Sequence, residues 1–399
     1  MLNERDVLTE VVKRALKHVD AGTTDSAEAP YRHPTWTYTD ADLFEQEKQK
    51  IFKASPQMVG FSCDLQGLGS FATFDDLGVP VLLVRDNDGK VNAYLNACSH
   101  RGARLKEGCG KANSISCPYH AWGFDLKGKL RTIFKEDTFG RVDKSYYDLV
   151  RLPVEEKYGV IYVGLDPDMK FSIDDHLGDL APYFAMWNLE DMSFVDMHEF
   201  HMDTNWKLAL DTFCEGYHFG PLHKDSVGDY TMGNLSLYDR FGPGKRHHRM
   251  TFVNVTISSL KDIPVEQWTT GVFDHFAFVH FIYPNISLLV SPNAVEFFQL
   301  YPGATVGQHL TRYRCYWRGD RNRPSEGLDP QSHFQFIRDV VAKEDYWVSA
   351  NVQKSLNANI KPFTTFGKNE PSLINMHQTF LRAVGRTPAE APLEKVGAD

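Results

Sequence analysis

Two short pairs of ligand-type residues, Cys98-Ser-His100 and Cys117-Pro-Tyr-His120, stand with 16 residues between them. A centre shared by both pairs requires two tight loops held side by side. Gly102, Gly108 and Gly110 follow the first pair, and Pro118 and Gly123 belong to the second. Such residues suit tight turns whose backbone amides can donate to sulfur. Two thiolates and two imidazoles in this order match a [2Fe–2S] cluster of mixed ligation, with cysteines on one iron and histidines on the other. Neutral imidazoles leave that cluster less electron-rich and raise its potential. Its work is single-electron transfer. A tetrahedral zinc site competes for the same residues, but zinc knuckles favour C-x-x-C and C-x-H seldom begins one.

The rest of the chain reads as a soluble, cytoplasmic enzyme of two or three domains, long enough for a sizeable core. A net charge of −9 argues against nucleic acid as a partner. No apolar run approaches the roughly 18 residues that span a bilayer. Glu4, Arg5, Asp6, Glu10 and Lys13 leave no room for the apolar core of a secretory signal. Six cysteines do not make a disulfide scaffold here, and Cys63, Cys109, Cys214 and Cys315 are expected as buried or free thiols.

Residues 1–50 are expected as an N-terminal helical arm on the catalytic domain, with Leu8, Val11, Val12, Leu16 and Val19 at helical spacing. Residues 51–168 read as a small β domain carrying both ligand loops. Val81–Arg85, the turn at Asn87-Asp-Gly89, and Val91–Leu95 make its hairpin. Residues 169–399 form the catalytic domain, with strands expected over 276–291, 294–301 and 311–317. Two helices matter most, at about 205–219 and about 331–358. The tail after Thr387, with Pro388 and Pro392, reads as a loosely held end.

A second metal site is expected on those helices. His218 and His223 would diverge by about 140° on an unbroken helix. Gly220 and Pro221 should break it and let His223 swing back. Asp211, Glu215 and His218 fall on one face of the first helix, which leaves Asp211 a candidate support for the metal face. A third ligand should be a carboxylate, completing the two-His-one-carboxylate triad of non-haem Fe(II). Asp345 falls on the apolar stripe of Phe334, Ile337, Val341, Val348 and Val352, where an acid is costly unless paired or bound to a cation. Its neighbour Glu344 is expected about 100° away, so Glu344→Ala is expected to keep the iron that Asp345→Ala loses. Of the weaker signals, Lys245-Arg-His-His-Arg249 reads as a solvated loop, Trp206 and Lys207 as helix anchors, and the aromatics around 273–301 mainly as core.

These segments resemble, from about residue 35 to about residue 385, the α (catalytic) subunits of Rieske non-haem iron oxygenases, the ring-hydroxylating oxygenases. Cys98–Leu105 and Cys117–Leu126 are similar to the family's cluster loops. Asn205-Trp-Lys207 with Glu215, His218 and His223 resembles its mononuclear iron motif, and Glu344-Asp345 with Gln353 the segment supplying the third ligand. The resemblance implies a [2Fe–2S] Rieske cluster on Cys98, His100, Cys117 and His120, and iron on His218, His223 and Asp345. It implies electrons from NAD(P)H through a separate reductase, sometimes a ferredoxin, and a homotrimer, with or without a β subunit. Glu215, three before His218, would bridge the two metal sites across the subunit interface. Many members carry Asp there, and Glu is shared with some subfamilies, including quaternary-amine demethylases.

The implied fold is α+β: an all-β Rieske domain, then an antiparallel sheet wrapped by helices, of helix-grip type. The first functional expectation is hydroxylation of an apolar, aromatic substrate with O2. Oxidative N- or O-demethylation, including that of quaternary amines, is the alternative with the same iron chemistry. A bare electron carrier or zinc protein is remote, since a Rieske carrier needs only about a hundred residues.

Overall fold

The computed structural model describes residues 2–319 and 329–390; Pro392 of the expected loose tail lies outside them. The chain divides into two compact units. One is drawn from Phe52–His176 with Asn188–Asp191, the other from Met1–Ile51, Leu177–Trp187 and Met192–Asp399. Among the described residues no helix is long and apolar enough to cross a membrane, and all six cysteines are free thiols.

The first unit is built of short antiparallel strands. A five-stranded sheet runs in the order Arg151–Leu152, Val91–Leu95, Val81–Arg85, Ser70–Phe74, Cys109–Lys111. The expected hairpin is at its centre, with Val81 opposite Leu95 and Arg85 opposite Val91. Two three-stranded sheets complete the unit. Leu82, Tyr94, Ile115, Phe124 and Leu130 pack with Cys98, Cys117 and Trp122 in one core, so both cysteines are fixed by the hydrophobic packing itself.

The second unit opens with helix α1 (Glu4–Ala21), capped by Asn3, whose side chain accepts from Arg5 N at 3.1 Å, and ended by Gly22 at φ 62°. Its centre is a seven-stranded antiparallel sheet: β1 (Met192–Met202), β2 (Thr231–Phe241), β3 (His247–Asn254), β4 (Phe276–Ile282), β5 (Ile286–Val290), β6 (Ala294–Pro302) and β7 (His309–Arg318). The spatial order is β1-β7-β6-β5-β4-β3-β2. The run 276–291 is thus two strands rather than one. Pro284 in the connecting turn has no amide hydrogen to give a ladder.

Helices cover one face of this sheet: α2 (Trp206–Asp211), α3 (Pro330–Val340), α4 (Tyr346–Asn357) and α5 (Pro371–Ala383). Phe213, just past α2, meets Phe298 at 4.7 Å between ring centres, Phe334 stacks on Tyr313 at 5.0 Å, and Phe380 meets Phe281 at 5.9 Å. Trp187 packs on Phe278 at 5.3 Å from the other side. Covering both faces corrects one expectation. His247, His248 and Arg249 belong to β3 and are buried, not part of a solvated loop. Arg249 pairs with Asp239 at 2.9 Å, and its guanidinium lies 4.6 Å over Phe278 and 4.7 Å over Tyr183.

The segment around residue 206 is held firmly. Asn205 caps α2 by accepting from Lys207 N at 2.9 Å, and its own amide donates to Gln353 Oε1 at 2.8 Å. Trp206 donates to Glu47 at 3.0 Å, and the buried Lys207 ammonium meets both Glu47 oxygens at 2.6 and 2.7 Å. Removing one partner of such a buried pair typically costs about 3–5 kcal/mol.

Candidate metal centres

The two ligand loops of the first unit share one backbone design. Cys98 N donates to Ala103 O at 2.8 Å and Gly102 N to Cys98 O at 2.8 Å; Cys117 N donates to Trp122 O at 2.9 Å and Ala121 N to Cys117 O at 3.0 Å. Each loop therefore closes over the four residues after its cysteine. The closing position carries positive φ in both, 75° at Gly102 and 54° at Ala121. A non-glycine residue held there is uncommon and marks a geometry that the surroundings enforce.

Cys98 and Cys117 are buried, whereas His100 and His120 lie half-buried at the unit's surface. Burial pushes the Cys98 thiol up; the His100 and Arg101 amides aimed at it pull the other way, and the facing Cys117 adds to the rise. The His100 and His120 rings are 4.7 Å apart, and Trp122 stacks on His100 at 4.7 Å. Both Nδ1 atoms are buried without a hydrogen-bond partner. Two orphaned imidazole nitrogens beside two buried, facing thiols, one of them met by backbone amides, form a donor set that fits a metal cluster. Among the described residues the quartet does not converge on a point as a single-ion site does, which speaks against a lone zinc.

In the second unit three side chains do converge. The ligand atoms of His218, His223 and Asp345 lie within 4.8 Å of one another. His218 Nε2 is 3.1 Å from His223 Nε2, and Asp345 Oδ1 is 3.5 and 3.3 Å from them. That oxygen is buried and makes no hydrogen bond. The outer nitrogens are occupied. His218 Nδ1 bonds Glu215 Oε1, and His223 Nδ1 meets Glu344 Oε2 at 2.6 Å. A carboxylate on Nδ1 fixes the tautomer and turns the Nε2 lone pair inward, as in carboxylate–histidine–metal arrangements. The group fits a divalent metal with open positions.

Local structure explains the placement and corrects the expected helices. The helix at about 205–219 stops at Asp211, and only a four-residue turn, Phe219–Leu222, separates His218 from His223. Its short span brings the two rings together. Asp211 therefore leaves the metal face: its carboxylate accepts from Tyr38 Oη at 2.7 Å and meets His377 Nε2 at 2.7 Å. The helix at about 331–358 is not continuous either. A π turn, Val341–Asp345, joins α3 to α4; such turns are frequent at functional sites. The turn aims both Glu344 and Asp345 at the histidines, so the expectation that Glu344 points away fails. Sequence reasoning also missed Ser226, whose Oγ donates to Glu344 Oε2 at 2.8 Å. An acid immediately before a candidate ligand was the available signal.

Beside the trio lies a partly exposed apolar group. Phe213, Phe219, Tyr238 and Leu289 pack around buried Met250, Phe252 and Val279. Phe219 is 4.9 Å from the His218 ring and 4.7 Å from Phe252. Leu289 belongs to β5, near the middle of a sheet covered by helices, yet is only half-buried.

Family models match both units. Residues 55–144 match the Rieske [2Fe-2S] domain and residues 189–386 the ring hydroxylating alpha subunit (catalytic domain). The carnitine monooxygenase oxygenase subunit of Escherichia coli (strain K12) is 30% identical over 333 residues, covering 82% of this chain and 84% of that protein. A glycine betaine monooxygenase oxygenase subunit of Pseudomonas aeruginosa (strain UCBPP-PA14) is 32% identical over 193 residues, 47% of this chain and 44% of that one. Among solved structures, the quaternary ammonium Rieske monooxygenase CntA with an inhibitor aligns over 90% of this chain and 96% of its own. Its TM-score of 0.76 at 23% identity shows a shared fold.

Proposed function

The chain belongs to the α subunits of the Rieske non-haem iron oxygenases, and from that premise we propose that it oxidises a quaternary ammonium compound at a carbon bound to nitrogen. The observation carrying this reading is the relationship, over most of both chains, to the carnitine monooxygenase oxygenase subunit. It reverses the first expectation, which put an aromatic substrate ahead of demethylation. The half-buried group of Phe213, Phe219 and Tyr238, with Phe219 beside His218, agrees with the new order, since aromatic faces attract quaternary ammonium.

In this reading Cys98, Cys117, His100 and His120 hold the [2Fe–2S] cluster, and His218, His223 and Asp345 hold the mononuclear iron. When bound, the cluster supplies single electrons and the iron supplies the dioxygen chemistry. One oxygen atom enters a C–H bond next to nitrogen and the other leaves as water, with two electrons from the reductase and two protons from solvent balancing the step. The hydroxylated carbon then loses nitrogen, giving a carbonyl fragment and a tertiary amine; a methyl carbon leaves as formaldehyde. The half-buried aromatic group, with Phe219 next to His218, is the proposed seat of the substrate's ammonium. Glu215 holds the His218 Nδ1–H and is the proposed link along which electrons arrive from a neighbouring subunit's cluster. A separate reductase fed by NAD(P)H and a homotrimer complete the system.

Oxygen uptake with a generic reductase and a panel of methylammonium compounds, aromatic acids and hydrocarbons tests this. Uptake coupled to release of formaldehyde or tertiary amine is the expected result. Coupled uptake with aromatic compounds alone would overturn it.

A further inference from the structure

We propose that Glu344 is a positioning residue for the mononuclear iron, acting through His223. The inference rests on the ligand assignment above and goes beyond it. His218 and His223 are each backed by a carboxylate, but by unlike means. Glu215 is three residues from its histidine and also accepts the His218 amide at 3.2 Å, so it belongs to the same loop. Glu344 reaches His223 across 121 positions of sequence. One oxygen, Oε2, takes both the His223 Nδ1 contact at 2.6 Å and the Ser226 hydroxyl at 2.8 Å.

Ser226 closes the arrangement from the other side. Its amide donates to His223 O at 2.9 Å, and its hydroxyl also lies 3.3 Å from that oxygen. Ring and backbone of His223 are therefore fastened to one small clip whose outer member is Glu344. The π turn Val341–Asp345 matters here because it presents two consecutive acids to the same pair of histidines. On a plain α-helix neighbours lie about 100° apart, and only one would reach. Asp345 then acts as ligand and Glu344 as the brace that fixes which His223 nitrogen is free. A carboxylate on the distal nitrogen orients the ring and raises its basicity, and losing it typically weakens metal binding about 10–100-fold.

The test uses the purified holoprotein and reads iron, not only turnover. Glu344→Ala is expected to lose mononuclear iron to a chelator about 10–100-fold faster than wild type, with acid-labile sulfide and the visible cluster spectrum unchanged. The electron paramagnetic resonance signal of its ferrous nitrosyl adduct should change shape. Glu344→Gln keeps an acceptor for the Nδ1–H without the charge and should restore only part of the retention. Wild-type chelation half-times and an unaltered nitrosyl signal in both variants would overturn the proposal. Should Glu344→Ala not fold, the same two readouts on Glu344→Gln decide, with an intermediate half-time expected and the wild-type value overturning it. Iron that survives Asp345→Ala would instead sink the ligand assignment itself, a separate failure.

Discussion

The two units hold their paired histidines in opposite ways. In the first, His100 and His120 leave Nδ1 bare and buried, and their loops close on themselves through backbone bonds within a few residues. In the second, Nδ1 of His218 and His223 is taken by carboxylates and the two Nε2 atoms face each other and Asp345. There the parts come from distant segments. A site made of self-closing loops draws its local geometry from short-range backbone bonds and needs the rest of the unit only for the core that buries Cys98 and Cys117. One assembled from a broken helix, a π turn and a distant acid depends on the packing of several helices on a sheet. Electron storage needs a rigid holder. Oxygen chemistry needs open coordination positions, and the anchoring shifts to the outer nitrogens.

The sharpest way to break the comparison is to remove one ligand from each side. Asp345→Ala should lose essentially all mononuclear iron while keeping acid-labile sulfide, and Cys117→Ala should do the reverse; turnover disappears in both. Metal and sulfide counts per chain check this, and joint loss from either variant would end the claim of independent sites. Glu215→Ala should lower turnover far more than iron content, with the cluster still reducible by dithionite. Full coupled activity in that variant would remove Glu215 from the electron path.

The smallest effect concerns Asp211, which lies off both centres. Burial pushes its carboxyl up to about 8, although Tyr38 and Lys207 oppose the shift and Glu215 adds to it. Between about pH 4, where an unfolded aspartate titrates, and about pH 8 the folded chain keeps a proton that the unfolded chain has released. Stability from this group is full at the acid end and falls as pH rises, by at most about 1.4 kcal/mol per pH unit. Asp211→Asn should flatten that slope in denaturant titrations across the window. An unchanged slope would mean that the proton is not held there.

Much of this was legible in residue types alone. Cys98, His100, Cys117 and His120 could be read because all four lie in two short loops, and local turn chemistry fixed their surroundings. Gly220 and Pro221 were expected to break the helix between His218 and His223, yet they lie inside the helical turn Phe219–Leu222, and the break comes earlier, where α2 stops at Asp211. Polar residues 247–249 looked like surface because no local pattern reveals that a strand will be covered on both faces. Glu344 looked idle because helical spacing assumes one unbroken register.

The sequence by itself determined which atoms can bind metal here, since donor chemistry belongs to each side chain wherever it lies. Only the tertiary structure decided which nitrogen of His218 and His223 faces Asp345 and which acid stands behind each ring. A single π turn, stabilised by long-range packing, changes the face that two neighbouring residues present. No local spacing rule carries that information.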